Sequence, residues 1–180
     1  PVSHDLASNI ASILGTPDGQ LWVASEGSGV MRLDLAAPDQ RVVITRTNGL
    51  VSDAVHRVMR DVEGNLWFAQ SGGVSRLRAN YRAFSNYTAT ARAGERGFLP
   101  SPSINAVIPP STQPSGAGAT WLGTSESGIV GFAGNRVETI TTEHGLNHNW
   151  VNGMVFDGHG RLWVGTVRGI NCLSPDRSML

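Results

Sequence analysis

Gly160-Arg161-Leu162-Trp163-Val164 decides the reading of this chain, because it is the fourth copy of one pattern. Earlier copies are Gln20-Leu21-Trp22-Val23, Asn65-Leu66-Trp67-Phe68 and Ala119-Thr120-Trp121-Leu122, each with a glycine three residues before its tryptophan (Gly19, Gly64, Gly118, as Gly160 in the fourth). Six or seven residues after each tryptophan comes another glycine, Gly29, Gly73, Gly128 and Gly169. Two apolar residues three apart follow it: Val30 and Leu33, Val74 and Leu77, Ile129 and Phe132, Ile170 and Leu173. The tryptophans are spaced 45, 54 and 42 residues apart, in the range of propeller blades. The long interval holds an insertion rich in Pro, Ser and Gly, Pro109 to Ala117, of the kind that lengthens a turn at little cost.

Within one copy the apolar pattern predicts four short strands. In the second, Val55 to Arg60 reads as strand A, Asp61-Val62-Glu63-Gly64 as a turn, Leu66 to Gln70 as strand B, Val74 to Arg78 as strand C and Tyr81 to Thr90 as strand D. Strand B is nearly all apolar, as a strand sandwiched between neighbouring blades must be. Each tryptophan would bury roughly 150 to 250 Å² between blades, an upper bound of about 4 to 6 kcal/mol. The expected fold is therefore an all-β propeller arc of four antiparallel four-stranded blades, covering approximately 1–47, 48–96, 97–143 and 144–180, the last without its outer strand. The tryptophans and the turn glycines are its structural residues.

Composition agrees and narrows the function classes. Glycine is abundant, at 22 of 180 residues, and charged residues make up only 16%, a balance that suits short strands and tight turns. Formal net charge is zero, and basic and aromatic residues do not cluster, so neither nucleic acid nor an anionic membrane is an expected partner. All 14 basic residues are arginine, with no pair spaced as an anion clamp. No stretch reaches the ~18 apolar residues of a membrane span, and Pro1 to Ile10 lack the blocks of a signal peptide, so a soluble chain is expected.

Asn48-Gly49-Leu50-Val51-Ser52-Asp53, with Val55, Asp61, Gly64, Asn65-Leu66-Trp67 and Gly73, resembles the two-component regulator propeller repeat. The fourth copy resembles it more fully, through His144-Gly145-Leu146, Val151, Asp157, Gly160, Leu162-Trp163-Val164-Gly165-Thr166 and Gly169. The first and third depart from it: Leu6 lacks the preceding glycine, Thr16 replaces the turn aspartate, and Gly97-Phe98-Leu99-Pro100 replaces the Asn-Gly-Leu loop. The resemblance implies the periplasmic sensor of a bacterial signalling protein, linked onward to a histidine kinase or diguanylate cyclase. In some such sensors the ligand is an oligosaccharide.

Strand order places the D-to-A and B-to-C loops on one face, where recognition is expected. Ligand-binding candidates there are Glu26, Gln70, Glu126, Asn147, His148, Trp150 and Arg168. Trp150 stands outside the repeat register beside Asn147, His148 and Asn149; it either stacks on a sugar ring or covers a blade edge. No catalytic set, metal site or cofactor is expected. His144 and His148 would need a helix to share a metal, and Gly145 argues against one. Asp157-Gly158-His159-Gly160 and Asp61-Val62-Glu63-Gly64 are too short for calcium loops and read as turns. Cys172 lies in an apolar strand, as a packed small hydrophobe. Two rivals remain, a propeller lyase resembling the streptogramin lyases and a protein-binding scaffold. Because an open arc would expose two apolar flanks, either remaining propeller blades or a second copy of the chain is expected to cover them.

Overall fold

A computed structural model describes residues 9–80, 83–88, 99, 101–110, 118–133, 136–176 and 178–180. Leu6, the ends expected for the second strand D, most of the 97–100 loop and residues 111–117 of the insertion lie outside them. Four antiparallel sheets follow one another, each with its strands in chain order. The first is β1 (Ile10–Gly15), β2 (Gln20–Ser25), β3 (Val30–Asp34) and β4 (Ala37–Ile44); the second is β5 (Val55–Arg60), β6 (Leu66–Gln70), β7 (Gly73–Leu77) and β8 (Phe84–Thr88). The third is β9 (Ile104–Ile108), β10 (Thr120–Thr124), β11 (Ile129–Ala133) and β12 (Arg136–Ile140), and the fourth is β13 (Val151–Phe156), β14 (Leu162–Thr166) and β15 (Gly169–Leu173). The chain is all-β, built as successive propeller blades, the fourth with three strands.

Three apolar clusters sit between consecutive blades. Each tryptophan projects from its strand B toward the following blade, so Trp22 packs with Val58, Leu66 and Phe68, Trp67 with Val107 and Leu122, and Trp121 with Leu162, Val164 and Leu173. These three indoles are buried, whereas Trp163 is 39% exposed. The expectation of four equivalent buried tryptophans thus fails at the fourth, which no blade covers among the described residues.

Turns between strands A and B explain the aspartate and the glycine of the repeat. The Asp61 carboxylate accepts from the Asn65 amide at 2.7 Å and from the Trp67 indole N–H at 2.8 Å. Asp157 repeats this with the Arg161 amide at 3.0 Å and the Trp163 indole at 3.0 Å. A single carboxylate therefore closes the turn and fixes the tryptophan six residues on. Gly19, Gly64 and Gly160 hold φ of 79°, 87° and 78°, a left-handed conformation that side chains disfavour. Gly118 does not adopt it; it follows the insertion, and the tight four-residue turn is gone.

The tail replaces the missing outer strand with one residue. Met179 bridges Leu173 as Phe84 pairs with Leu77 in the second blade, and it lies over Gly145 as Phe84 lies over Gly49. Ser174 donates to the Ser178 carbonyl and Leu180 to the Cys172 carbonyl, so residues 178–180 turn back along β15 with Pro175 in the turn.

Candidate functional site

In all four blades the pairing of strands A and B slips at the second residue of strand A: at Ala11, His56, Asn105 and Asn152. A bulge leaves one residue unpaired and re-aims its side chain. Here the four bulged residues come to the end of the sheets that carries the B-to-C and D-to-A loops. There His56 Nε2 lies 3.1 Å from Ser71 Oγ, and its Nδ1 lies 3.9 Å from Glu26 of the preceding blade. Asn105 donates to Ser125 Oγ at 3.1 Å and to the Val151 carbonyl of the next blade at 2.9 Å. A polar rim thus runs across the blade junctions.

The loops of the rim are tied to one another by backbone. Gly27 and Gly29 donate to the Asp53 carbonyl, Gly72 to Pro102 and Gly128 to Asn149, so the first three B-to-C turns are each clamped to the D-to-A loop that follows. Two of those D-to-A loops share a construction. Thr45 and Thr141 open 3-10 turns at Arg46–Asn48 and Thr142–His144, Leu50 and Leu146 plug the blade junctions, and Asp53 and Asn149 accept the Arg46 and Thr142 amides.

This construction redistributes the residues singled out by sequence. Glu26, Glu126, Trp150 and Arg168 are exposed at the rim. Trp150 lies between two turns: Gly128 of one donates to Asn149 beside it, and Val167 of the other donates to the Trp150 carbonyl. Glu126, Trp150 and Arg168 therefore flank a single blade junction, and Glu26 stands two blades away. Trp150 also has a register after all, since Ala54 and Ser103 take the same backbone bond, from Ser71 and Ser125; only its side chain is unusual. Gln70 is not a rim residue. It is fully buried, donates to the Ser52 carbonyl and accepts from Ser75, and serves as an internal brace. His148 Nδ1 accepts the Trp150 amide and His144 Nδ1 the Thr141 amide, so both rings hold loop backbone. Asn147 is exposed, with its own amide group turned to the Ile170 carbonyl at 3.4 Å.

Sequence reading places Ser71 and Ser125 in B-to-C loops of the expected face and misses His56 and Asn105. The signal of the missed pair was present, as polar residues one after the first apolar residue of strand A, but period-2 alternation hides a bulge. The hydroxyl, imidazole and carboxylate of Ser71, His56 and Glu26 fall in line, yet the amides beside the hydroxyl are spent: Ser71 donates to Ala54 and Gly72 to Pro102. Neither of these two amides is therefore free to stabilise an oxyanion beside that hydroxyl. Two turn carboxyls are held below the usual range, Asp176 by Ser174 and Ser178, and Asp157 within the repeat. The Trp163 indole, followed by Arg161, holds its carboxyl below the usual range. It belongs to the opposite end of the blade, as does a cavity of about 240 Å³ lined by Asp18, Gln20, Arg32 and Asp34.

Comparison with known proteins agrees with this architecture. Residues 145–168 match the family model described as two component regulator propeller. The extracellular domains of two proteins described as hybrid two component systems of B. thetaiotaomicron superpose with TM-scores of 0.79 and 0.74, at 16% and 18% identity. They match 100% and 96% of this chain, which spans only about a quarter of their length, 25% and 24%. Virginiamycin B lyase from Staphylococcus aureus superposes with a TM-score of 0.68 at 12% identity, over 98% of this chain and 56% of the lyase. No curated protein matches the sequence. Among the described residues no helix is long and apolar enough to cross a membrane. The chain is a β-propeller arc in whose fourth blade residues 145–168 match the two component regulator propeller model.

Proposed function

We propose that this arc is the ligand-reading part of an extracytoplasmic, periplasmic sensor in a bacterial signal transduction protein, and that it recognises an oligosaccharide. The output domain, a kinase or a diguanylate cyclase, is then carried elsewhere in the parent protein. The observation that supports the ligand class is Trp150, exposed at the junction of the third and fourth blades between the turns that bear Glu126 and Arg168. An exposed indole offers a flat apolar face to the C–H side of a sugar ring, and flanking carboxylate and guanidinium groups bond its hydroxyls. The clamped turns hold these groups in place before binding, which lowers the ordering cost of association. Glu26, with His56, Ser71 and Asn105, extends the polar rim for a ligand longer than one ring.

Binding of a panel of neutral and acidic oligosaccharides to the parent protein tests this. The expected result is saturable binding that Trp150→Ala weakens by roughly 10-fold or more and Gln70→Glu disturbs only through the fold. No binding across the panel, with a protein captured by the same rim instead, would replace the sugar reading with the scaffold reading. Likeness to the lyase carries only the fold, and the spent amides beside Ser71 argue against an acyl-transfer role for that line.

A further inference from the structure

Trp150 immediately precedes β13, and two features of the third blade decide how the head of that strand is held. The first is a tether. Asn105, the bulged residue of β9, donates through its Nδ2 to Ser125 Oγ at 3.1 Å and to the Val151 carbonyl at 2.9 Å. Both hydrogens of its amide are thus committed, and one of them ties the residue after Trp150 to the preceding blade. The second feature is a socket. Val151 is fully buried, and its Cγ1 lies so close to Gly123 that a Cβ there would meet it at 2.6 Å. The first two blades carry Ala24 and Ala69 at the position of Gly123, two residues after the tryptophan.

At the other two internal junctions the bulged residue does neither job. Ala11 has no polar side chain to offer Val55, and His56 turns to Ser71 of its own blade and to Glu26 of the blade before. The residues preceding strand A at those junctions are Ala54 and Ser103, whose small side chains have little direction to fix. Tether and socket coincide with the indole. The other ties on this segment come from its own blade and loop, through His148, Val167 and Asn171, or from the Gly128 backbone clamp that the first three turns share. Asn105 adds a side chain from the neighbouring blade.

We propose that Asn105 is the positioning residue of the Trp150 platform. By holding the Val151 carbonyl from the third blade, it fixes the direction in which the indole leaves the chain, so two blades build the stacking surface and it keeps one orientation before a ligand arrives. An aromatic surface already fixed loses less to ordering on association. It also favours the sugar face that lies flat on that one orientation, so Asn105 bears on ligand choice through Trp150 and without touching the ligand. The benefit to recognition rests on the oligosaccharide reading; the effect on the ring does not.

Fluorine resonances of the chain labelled with 5-fluorotryptophan test the proposal, the Trp150 signal being the one that Trp150→Phe removes. Asn105→Asp keeps the size of the side chain and loses the donor. In that variant the Trp150 resonance should sharpen and move toward the position of a free indole, while the circular dichroism and the other tryptophan signals stay as in the parent. Ser125→Ala, which frees only the near side of Asn105, should move it the same way by less, and it serves in place of Asn105→Asp if that variant does not fold. Against the oligosaccharide panel, Asn105→Asp should weaken binding by roughly 10-fold and Trp150→Ala by at least as much. A Trp150 resonance that neither variant moves would overturn the positioning role even if binding falls, because Asn105 would then act as a contact. Movement of the resonance in a protein that binds no sugar would uphold the positioning of the indole and remove the oligosaccharide reading alone.

Discussion

Trp67 and Trp163 stand in the same strand, on the same aspartate clasp and under an arginine, yet one is buried and the other is not. Arg76 lies 5.5 Å from the ring of Trp67 and Arg161 lies 5.7 Å from that of Trp163. Asp61 and Asp157 hold the two indole N–H groups. What differs is the third blade, whose Ile104, Val107 and Leu122 close over Trp67. The repeat motif therefore fixes where the indole points, and only the neighbouring blade buries it. Orientation is local; most of the stabilisation is not.

The largest expected effect separates the two tryptophans directly. Trp67→Ala should destabilise the chain by about 3 to 5 kcal/mol, through lost burial and the cavity left between blades. Trp163→Ala should cost about 2 kcal/mol or less while the chain is monomeric, because much of the ring already meets water. Chemical denaturation of both variants at low protein concentration measures the gap, and equal losses would break the comparison.

A smaller effect belongs to the clasp. Asp61→Ala leaves the Trp67 indole and the Asn65 amide without their buried acceptor, at about 1 to 3 kcal/mol. Asp157→Ala exposes the corresponding groups to water and should be the milder change. Near-ultraviolet circular dichroism would show whether the Trp67 ring loses its fixed environment in the first variant while the fold persists.

The smallest effect is a pH dependence confined to the exposed end. The folded-state pKa of Asp157 is lowered, chiefly by the Trp163 indole and then by Arg161 and nearby amides, against the opposing effect of burial. A carboxyl depressed in the folded state contributes stability that is present above its unfolded pKa of about 3.9 and is lost as pH falls toward the folded value. Stability measured from about pH 5 downward should therefore fall less steeply in Asp157→Asn than in the parent. Identical slopes would show that the clasp has no electrostatic component.

Blade number and strand order were legible because a tryptophan and two glycines recur at fixed offsets, and strands A and B of the second blade begin and end where the apolar run does. Strand C starts one residue early, at Gly73 in place of Val74, where glycine pairs with Thr88 at a φ of 152° and leaves no room for a Cβ against the Tyr87 carbonyl. The face of the candidate site was legible from connectivity alone. Its membership was less so. Gln70 is polar and ends a strand, which describes a loop residue as well as a buried brace, and only its contacts with Ser52 and Ser75 separate the two. His148 beside a tryptophan looks like recognition, yet its ring nitrogen is needed by the backbone. The bulged His56 and Asn105 escaped for the opposite reason, because a polar residue one after the first apolar residue of strand A reads as ordinary alternation.

Unequal cover over the five indoles gives the molecule two optical populations. Trp22, Trp67 and Trp121, shut between sheets, should emit at short wavelength and resist iodide, whereas Trp150 and Trp163 should emit further to the red and be quenched by it. The two accessible indoles report on different events, Trp150 on the rim and Trp163 on the end face. With one of them replaced by phenylalanine, the remaining red-shifted fluorescence becomes a private signal for the rim or for the flank of the fourth blade, read without any added dye.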